Sequence, residues 1–136
     1  MGVERSSVSS GSPLEPVIGF SRAVRIGNIV AVAGTAPIGD NGETVGIGDV
    51  YAQTCRCLDI AEAALGQIGS SMRDVIRTRI MLTDMLTWKE AARAHGERFA
   101  EIRPVATFVQ VSGFIDPSWL VEIELDSVVV EARSDP

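Results

Sequence analysis

No run of about eighteen apolar residues occurs in this chain, so no membrane-spanning helix is expected. Positive charge is scarce as well. Twelve Lys and Arg against 18 Asp and Glu leave a formal net charge of −6, which argues against a nucleic-acid partner, because such a footprint needs clustered cationic groups. The opening Met1-Gly2-Val3-Glu4-Arg5-Ser6-Ser7 lacks the apolar core of a secretory leader, and none is expected. There is one histidine, His95, and no GxGxxG or Walker pattern, so a phosphate-cradling loop is not called for. Cysteine is confined to Cys55 and Cys57. On a helix these side chains diverge by about 200° (two steps of ~100°), too far to bridge or to share a metal. Free thiols and a reducing, cytoplasmic compartment follow as expectations.

What is present fits one domain. The 136 residues suffice to bury a core. Residues 1–13, rich in Ser and Gly and ending at Pro13, read as a flexible N-terminal arm ahead of a single domain over 14–132. Phe20–Ile26 and Ile29–Thr35 are β-prone runs around a Gly27-Asn28 turn, and Gly39-Asp40-Asn41-Gly42 is another turn. Asp49 caps a helix running to about Leu65, with Thr54, Cys57, Leu58, Ala61, Leu65 and Ile68 on one stripe and Gly66 and Gly69 ending it. Thr87-Trp88-Lys89-Glu90 has the spacing of a capping box and opens a second helix carrying Ala91, Ala94, His95 and Phe99. That helix stops before Pro104.

The most informative segment is the last strand, where Val121, Ile123 and Leu125 alternate with Glu122, Glu124 and Asp126. Three carboxylates on one strand face require water or cations. On the strand Val75–Thr83, Ile76, Thr78, Ile80 and Leu82 share one face and Arg77, Arg79 and Met81 the other, so the two strands are expected to be neighbours. The order β-β-α-β-α-β-β gives an α+β layer with two helices on one face of a mixed sheet. The opposite face is either a solvated ion-pair ladder or a polar patch enclosed between subunits. Ala106 and Phe108 are expected on that face beside Met81.

Five stretches together resemble the RidA (reactive intermediate deaminase, YjgF-type) family. They are Gly19-Phe20-Ser21-Arg22-Ala23-Val24, Val32-Ala33-Gly34-Thr35, Asp74-Val75-Ile76-Arg77-Thr78-Arg79, Asp84 with Trp88, and Val121-Glu122-Ile123-Glu124. The resemblance runs from about Val17 to Val130. Arg93-Ala94-His95-Gly96 and Gly113-Phe114-Ile115-Asp116-Pro117 look like a branch separate from the best-known deaminases. It implies a chorismate-mutase-like α+β fold, a homotrimer whose three sheets close a central barrel, and ligand clefts between subunits. Well-known members hydrolyse 2-imino or 2-enamino acids to 2-oxo acids and ammonia, without metal or organic cofactor.

Carried over residue by residue, the resemblance makes Glu122 the candidate catalytic group, positioning water or carrying protons. Its pKa is expected to be raised by Glu124 and Asp126. The family arginine that clamps a substrate carboxylate corresponds to Ala106, the family tyrosine to Phe20 and the family serine to Ala33. Trp88 corresponds to a cleft-lining aromatic, or packs over its helix N-terminus. Trp119 walls the cleft or anchors its loop. Arg79 either reaches the ligand or pairs with a carboxylate, Arg22 is a weaker substitute near the mouth, and Phe108 makes the wall more apolar. His95 is expected to pack or cap, not to act as a base.

Losing one partner of a buried ion pair costs about 3–5 kcal/mol, roughly a hundred- to several-thousand-fold in affinity. Efficient action on simple 2-imino acids is therefore not expected, and ligands without a carboxylate, or with an apolar body, fit better. The leading reading is a small-molecule protein with an intersubunit cleft that hydrolyses or deaminates a reactive imine or enamine. The alternative is a non-catalytic, metabolite-binding or regulatory trimer. The ribonuclease label borne by some relatives is disfavoured by the acidic charge.

Overall fold

A computed structural model describes residues 3–130. Six strands form one sheet in the order β1-β2-β3-β6-β4-β5: β1 (Arg5–Val8), β2 (Ala23–Ile26), β3 (Ile29–Thr35), β4 (Val75–Leu82), β5 (Val105–Gln110) and β6 (Val121–Val128). All pairings are antiparallel except β4 with β5. The sheet is therefore mixed, as the sequence implies. Helices α2 (Val50–Gln67) and α3 (Trp88–Phe99) carry the bulk of the helical layer, and a short α1 (Leu14–Ile18) precedes β2.

Burial follows the apolar stripes. Thr54, Cys57, Leu58, Ala61 and Leu65 of α2 and Ile68 just past its end are all buried, and so are Ala91, Ala94 and Phe99 of α3. All of these except Thr54 and Ala94 meet Val121, Ile123 and Leu125 of β6 and Ile80 and Leu82 of β4 in one cluster. The small residues of α2 let its backbone lie close to the sheet, and each side chain that leaves water there contributes about 1.5–3 kcal/mol when large and apolar. Asp49 accepts a hydrogen bond from the Ala52 N–H at 3.0 Å, which caps α2. Gly66 lies inside the helix; Gly69, at φ +84°, makes the left-handed turn that ends it.

Several expectations are corrected. Arg5–Val8, assigned to a flexible arm, is the edge strand paired with β2. Its residues are mostly exposed, so no apolar alternation marks it. Residue 132, the expected end of the domain, lies outside the described residues. Phe20 precedes β2 and is not part of it. Ile76 does not share the buried face of β4: the register slips between Val75 and Arg77, and Ile76, the bulged residue, is 52% exposed. The capping box at Thr87 does not form. Thr87 Oγ1 donates to the Asp84 carbonyl instead, and Asp84 caps the preceding turn through Leu86 N–H.

The register also moves Ala106 and Phe108. They lie opposite Thr78 and Ile80 on β4, while Val105, Thr107 and Val109 lie opposite Arg77, Arg79 and Met81. In a parallel pair opposite residues share a face, so Ala106 and Phe108 stand on the helix side, where Phe108 packs against the core. Arg103, in the left-handed region at φ 59°, and Pro104 break the strand parity counted back from α3.

Candidate functional site

β4 and β6 are neighbours, with Arg77 opposite Asp126, Arg79 opposite Glu124 and Met81 opposite Glu122. Val121, Ile123 and Leu125 are buried against the helices, so the three carboxylates of β6 share the other face at intermediate exposure. Arg79 forms an ion pair with Glu124; Arg77 and Asp126 face each other without one. Both arginines, with Phe20, Ala33 and Glu124, line a cavity of about 490 Å³ over this face.

Glu122 opens elsewhere. It lines a larger groove, about 700 Å³, with Arg22, Gly34, Thr35, Phe20 and Trp119. Gly34 is where the two charged groups converge. A Cβ at that position would lie 3.0 Å from Glu122 Oε1, while the Gly34 carbonyl accepts a hydrogen bond from Arg22 Nη1 at 2.8 Å. The absence of a side chain lets the carboxylate rest against the backbone. Arg22 is buried and also donates to Ser10 Oγ (3.2 Å) and Thr35 Oγ1 (3.2 Å). Its guanidinium lies 5.3 Å from the centre of the Phe20 ring.

Two networks hold the walls. Glu15 accepts from Ser10 N–H, Ser10 Oγ and Ser12 N–H at 3.1, 2.9 and 3.3 Å, which ties the serine-rich segment to α1. On the far wall Trp119 Nε1 donates to Thr44 Oγ1 at 3.1 Å, and Thr44 meets Ser118. Gln53, fully buried on α2, donates to the carbonyls of Gly46 and Ser118 and accepts from Leu120 N–H. Trp119 thus both walls the groove and anchors its loop.

Burial raises the Glu122 pKa most, Arg22 opposes the rise and Glu124 adds to it. Asp126, expected to contribute, is not among the causes, being two residues beyond Glu124 with Arg77 across from it. Burial lowers the Arg22 pKa, while the charges of Glu15 and Glu122 push it up. Cys57, behind β6, has its thiol pKa pushed well up by burial and by Glu122. Cys55 and Cys57 are both free.

The structure therefore gathers Glu122, Phe20 and Trp119 at the groove and sets Arg79 and Ala33 in the cavity beside it, with Phe20 lining both. Trp88, Ala106 and Phe108 line neither. Trp88 begins α3 with its side chain 45% exposed and Lys89 over the ring. His95 packs on Phe99 and shares a 2.8 Å hydrogen bond with Thr78. Of the residues that line or brace the groove, Arg22 was a weaker sequence candidate, and Glu15, Gly34 and Gln53 were not among the site candidates. The serine–glutamate spacing of Ser12-Pro13-Leu14-Glu15 was a readable signal; nothing local marks Gln53, whose partners are brought together only by the tertiary fold.

Comparison with known proteins bears on the family and the fold. The endoribonuclease L-PSP family pattern matches residues 11–129. A protein of Streptomyces coelicolor is 41% identical over 121 residues, covering 88% of this chain and 89% of its own. The 3-aminoacrylate deaminase RutC of Acinetobacter baylyi is 34% identical over 113 residues, covering 83% of this chain and 88% of its own. The crystal structure of Rv2704 from Mycobacterium tuberculosis, described as a member of the YjgF/YER057c/UK114 family, superposes with a TM-score of 0.84 at 48% identity, covering 93% of this chain and all of that one.

Proposed function

This chain belongs to the endoribonuclease L-PSP family, the YjgF/Rid proteins whose members deaminate reactive imine intermediates, and on that premise we propose that it hydrolyses a small imine or enamine in the groove around Glu122. The observation that carries the proposal is the Glu122 carboxyl itself. It is half-buried, its pKa is raised, and it makes no hydrogen bond to another described residue. A carboxyl in that state can take a proton from a reacting group and give it back within one turnover.

Hydrolysis then needs three transfers. An enamine first gains a proton at carbon and becomes an iminium. Water adds to the C=N carbon while Glu122 takes its proton. The C–N bond of the carbinolamine breaks as Glu122 returns the proton to nitrogen, releasing ammonia and leaving a carbonyl, while the hydroxyl proton passes to water and balances the proton that water supplied to carbon. Ala106 puts no cation on β5, so simple 2-imino acids that depend on a clamp from that strand, as in the family deaminases, are turned over slowly. An enamine of the 3-aminoacrylate type, the substrate class in the name of the Acinetobacter relative, is the candidate that relative supports. The groove lies between subunits of a homotrimer, which covers the apolar residues Ile26, Ile29 and Val105 left exposed on the open sheet and its edges. The ligand is a small molecule, not a nucleic acid, in keeping with the net charge of −6. Two free thiols suit the cytoplasm.

The test is a coupled assay in which 3-aminoacrylate and 2-aminoacrylate are generated in situ and ammonia release is followed with wild type and Glu122→Gln. Faster release from 3-aminoacrylate, lost in the variant, is expected. Rapid turnover of 2-aminoacrylate that depends on Glu122 would overturn the stated preference. A second reading, a non-catalytic metabolite sensor, is favoured by Phe20 and Ala33 standing where the family deaminases carry hydroxyls. It expects ligand-dependent melting shifts without product.

A further inference from the structure

Arg22 is 6% exposed, and its three hydrogen bonds all go to neutral acceptors: Ser10 Oγ, the Gly34 carbonyl and Thr35 Oγ1. Among the described residues no carboxylate lies within 4 Å of it, although Glu15 and Glu122 act on it from further away. A buried cation without a contacting counter-ion is costly. Its Nη2 donates to no described residue. Yet no fully enclosed side-chain nitrogen or oxygen among them lacks a partner. Nη2 is therefore open to space that solvent can enter, and the space Arg22 lines is the groove of Glu122.

We propose that Arg22 is the anion seat of this groove and fixes its specificity for small carboxylates bearing an imine, enamine or oxo group. The inference rests on the reading of the groove as the reaction site and supplies the charge that Ala106 does not. Arg22 immediately precedes β2, on the β3 side of β6, whereas Ala106 is on β5, beyond β4 on the other side. A carboxylate held by Arg22 reaches Glu122 from the opposite side to one clamped from β5. Nη2 supplies a charge-assisted hydrogen bond to the carboxylate, and the Phe20 ring under the guanidinium holds its plane.

Acetoacetate and its neutral isostere acetoacetamide separate charge from shape. Their Kd values are measured by calorimetry on the full-length wild type and on Arg22→Gln. Wild type is expected to bind acetoacetate at least about tenfold more tightly than the amide, a preference of the size one charge-assisted contact gives. Arg22→Gln is expected to lose that preference while its affinity for the amide stays within about twofold. No preference in wild type, or an equal loss for both ligands in the variant, overturns the assignment. If Arg22→Gln does not fold, a crystal structure of the wild type soaked with acetoacetate decides. A carboxylate oxygen within hydrogen-bond distance of Nη2 supports the seat, and a carboxylate placed elsewhere refutes it. Arg22-dependent binding without any enamine hydrolysis would retire the hydrolase reading and keep the seat. Hydrolysis of anionic enamines at unchanged KM in Arg22→Gln would do the reverse.

Discussion

At the scale of single residues, Glu122 and Gly34 set the chemistry together. A carboxyl whose pKa is raised by burial is held in its neutral form more firmly in the folded chain than in the unfolded one. Its contribution to stability is full below the ordinary glutamate range and is lost as pH rises through the raised folded value. Glu122→Gln, which cannot ionise, is therefore expected to melt above wild type at pH 7, with the difference shrinking as the pH falls through the raised folded value and gone below the ordinary glutamate range. Thermal unfolding across that range checks the sign. At Gly34 a methyl group would meet Glu122 Oε1 at 3.0 Å, and the flexible carboxylate would give way. Gly34→Ala is expected to cost little stability, under about 1 kcal/mol, within the range of a mild substitution, and at least about tenfold in kcat/KM, the scale of a displaced catalytic group. Circular-dichroism melts beside steady-state rates separate the two. Glu122 and its strand partners were legible in the sequence because period-two alternation fixes their face. Arg22 was not, because its partners, Ser10, Gly34 and Thr35, lie twelve or more residues away.

At the scale of elements, strand pairing was readable where charge and alternation agreed, and failed where backbone geometry reset the count. The Arg77, Arg79 and Met81 face met the acidic face of β6 as expected. One bulge at Ile76 moved a large apolar side chain into solvent, and no residue type at that position signals a bulge. On β5 the left-handed Arg103 and the parallel register put Phe108 on the helix side. Phe108→Ala is thus expected to destabilise the fold by about 1–3 kcal/mol, less than a fully buried Phe→Ala, while leaving acetoacetate affinity unchanged. A loss of affinity without a loss of stability would return Phe108 to the site. Gln53 joins α2 to the loops at Gly46 and Ser118. Gln53→Ala leaves buried backbone groups unpaired, at a cost of about 1–3 kcal/mol. It is also expected to increase hydrogen exchange at Leu120 N–H, which that side chain accepts.

For the whole molecule, the helices cover one side of the sheet, and the other side keeps Ile26 and Ile29 exposed on the same face as the Arg79–Glu124 pair. The α+β class, the two-helix layer and the family were evident from apolar stripes and five short matching stretches. The edge strand β1 was not, because exposed serines carry no periodic signal. In solution a homotrimer is expected, and Ile29→Asp is expected to shift it toward the 14.5 kDa protomer by light scattering. A wild-type chain that sediments as a monomer would contradict the assembly. The account stands most directly on the pH dependence of kcat/KM for 3-aminoacrylate hydrolysis, measured for wild type and Glu122→Gln. The expected result is an acid limb in the wild type that titrates above the ordinary glutamate range, absent from the variant, together with a loss of roughly 10²–10⁴-fold. A variant that hydrolyses the enamine within about threefold of wild type, with the same profile, would contradict it, since a single general acid–base group is worth far more.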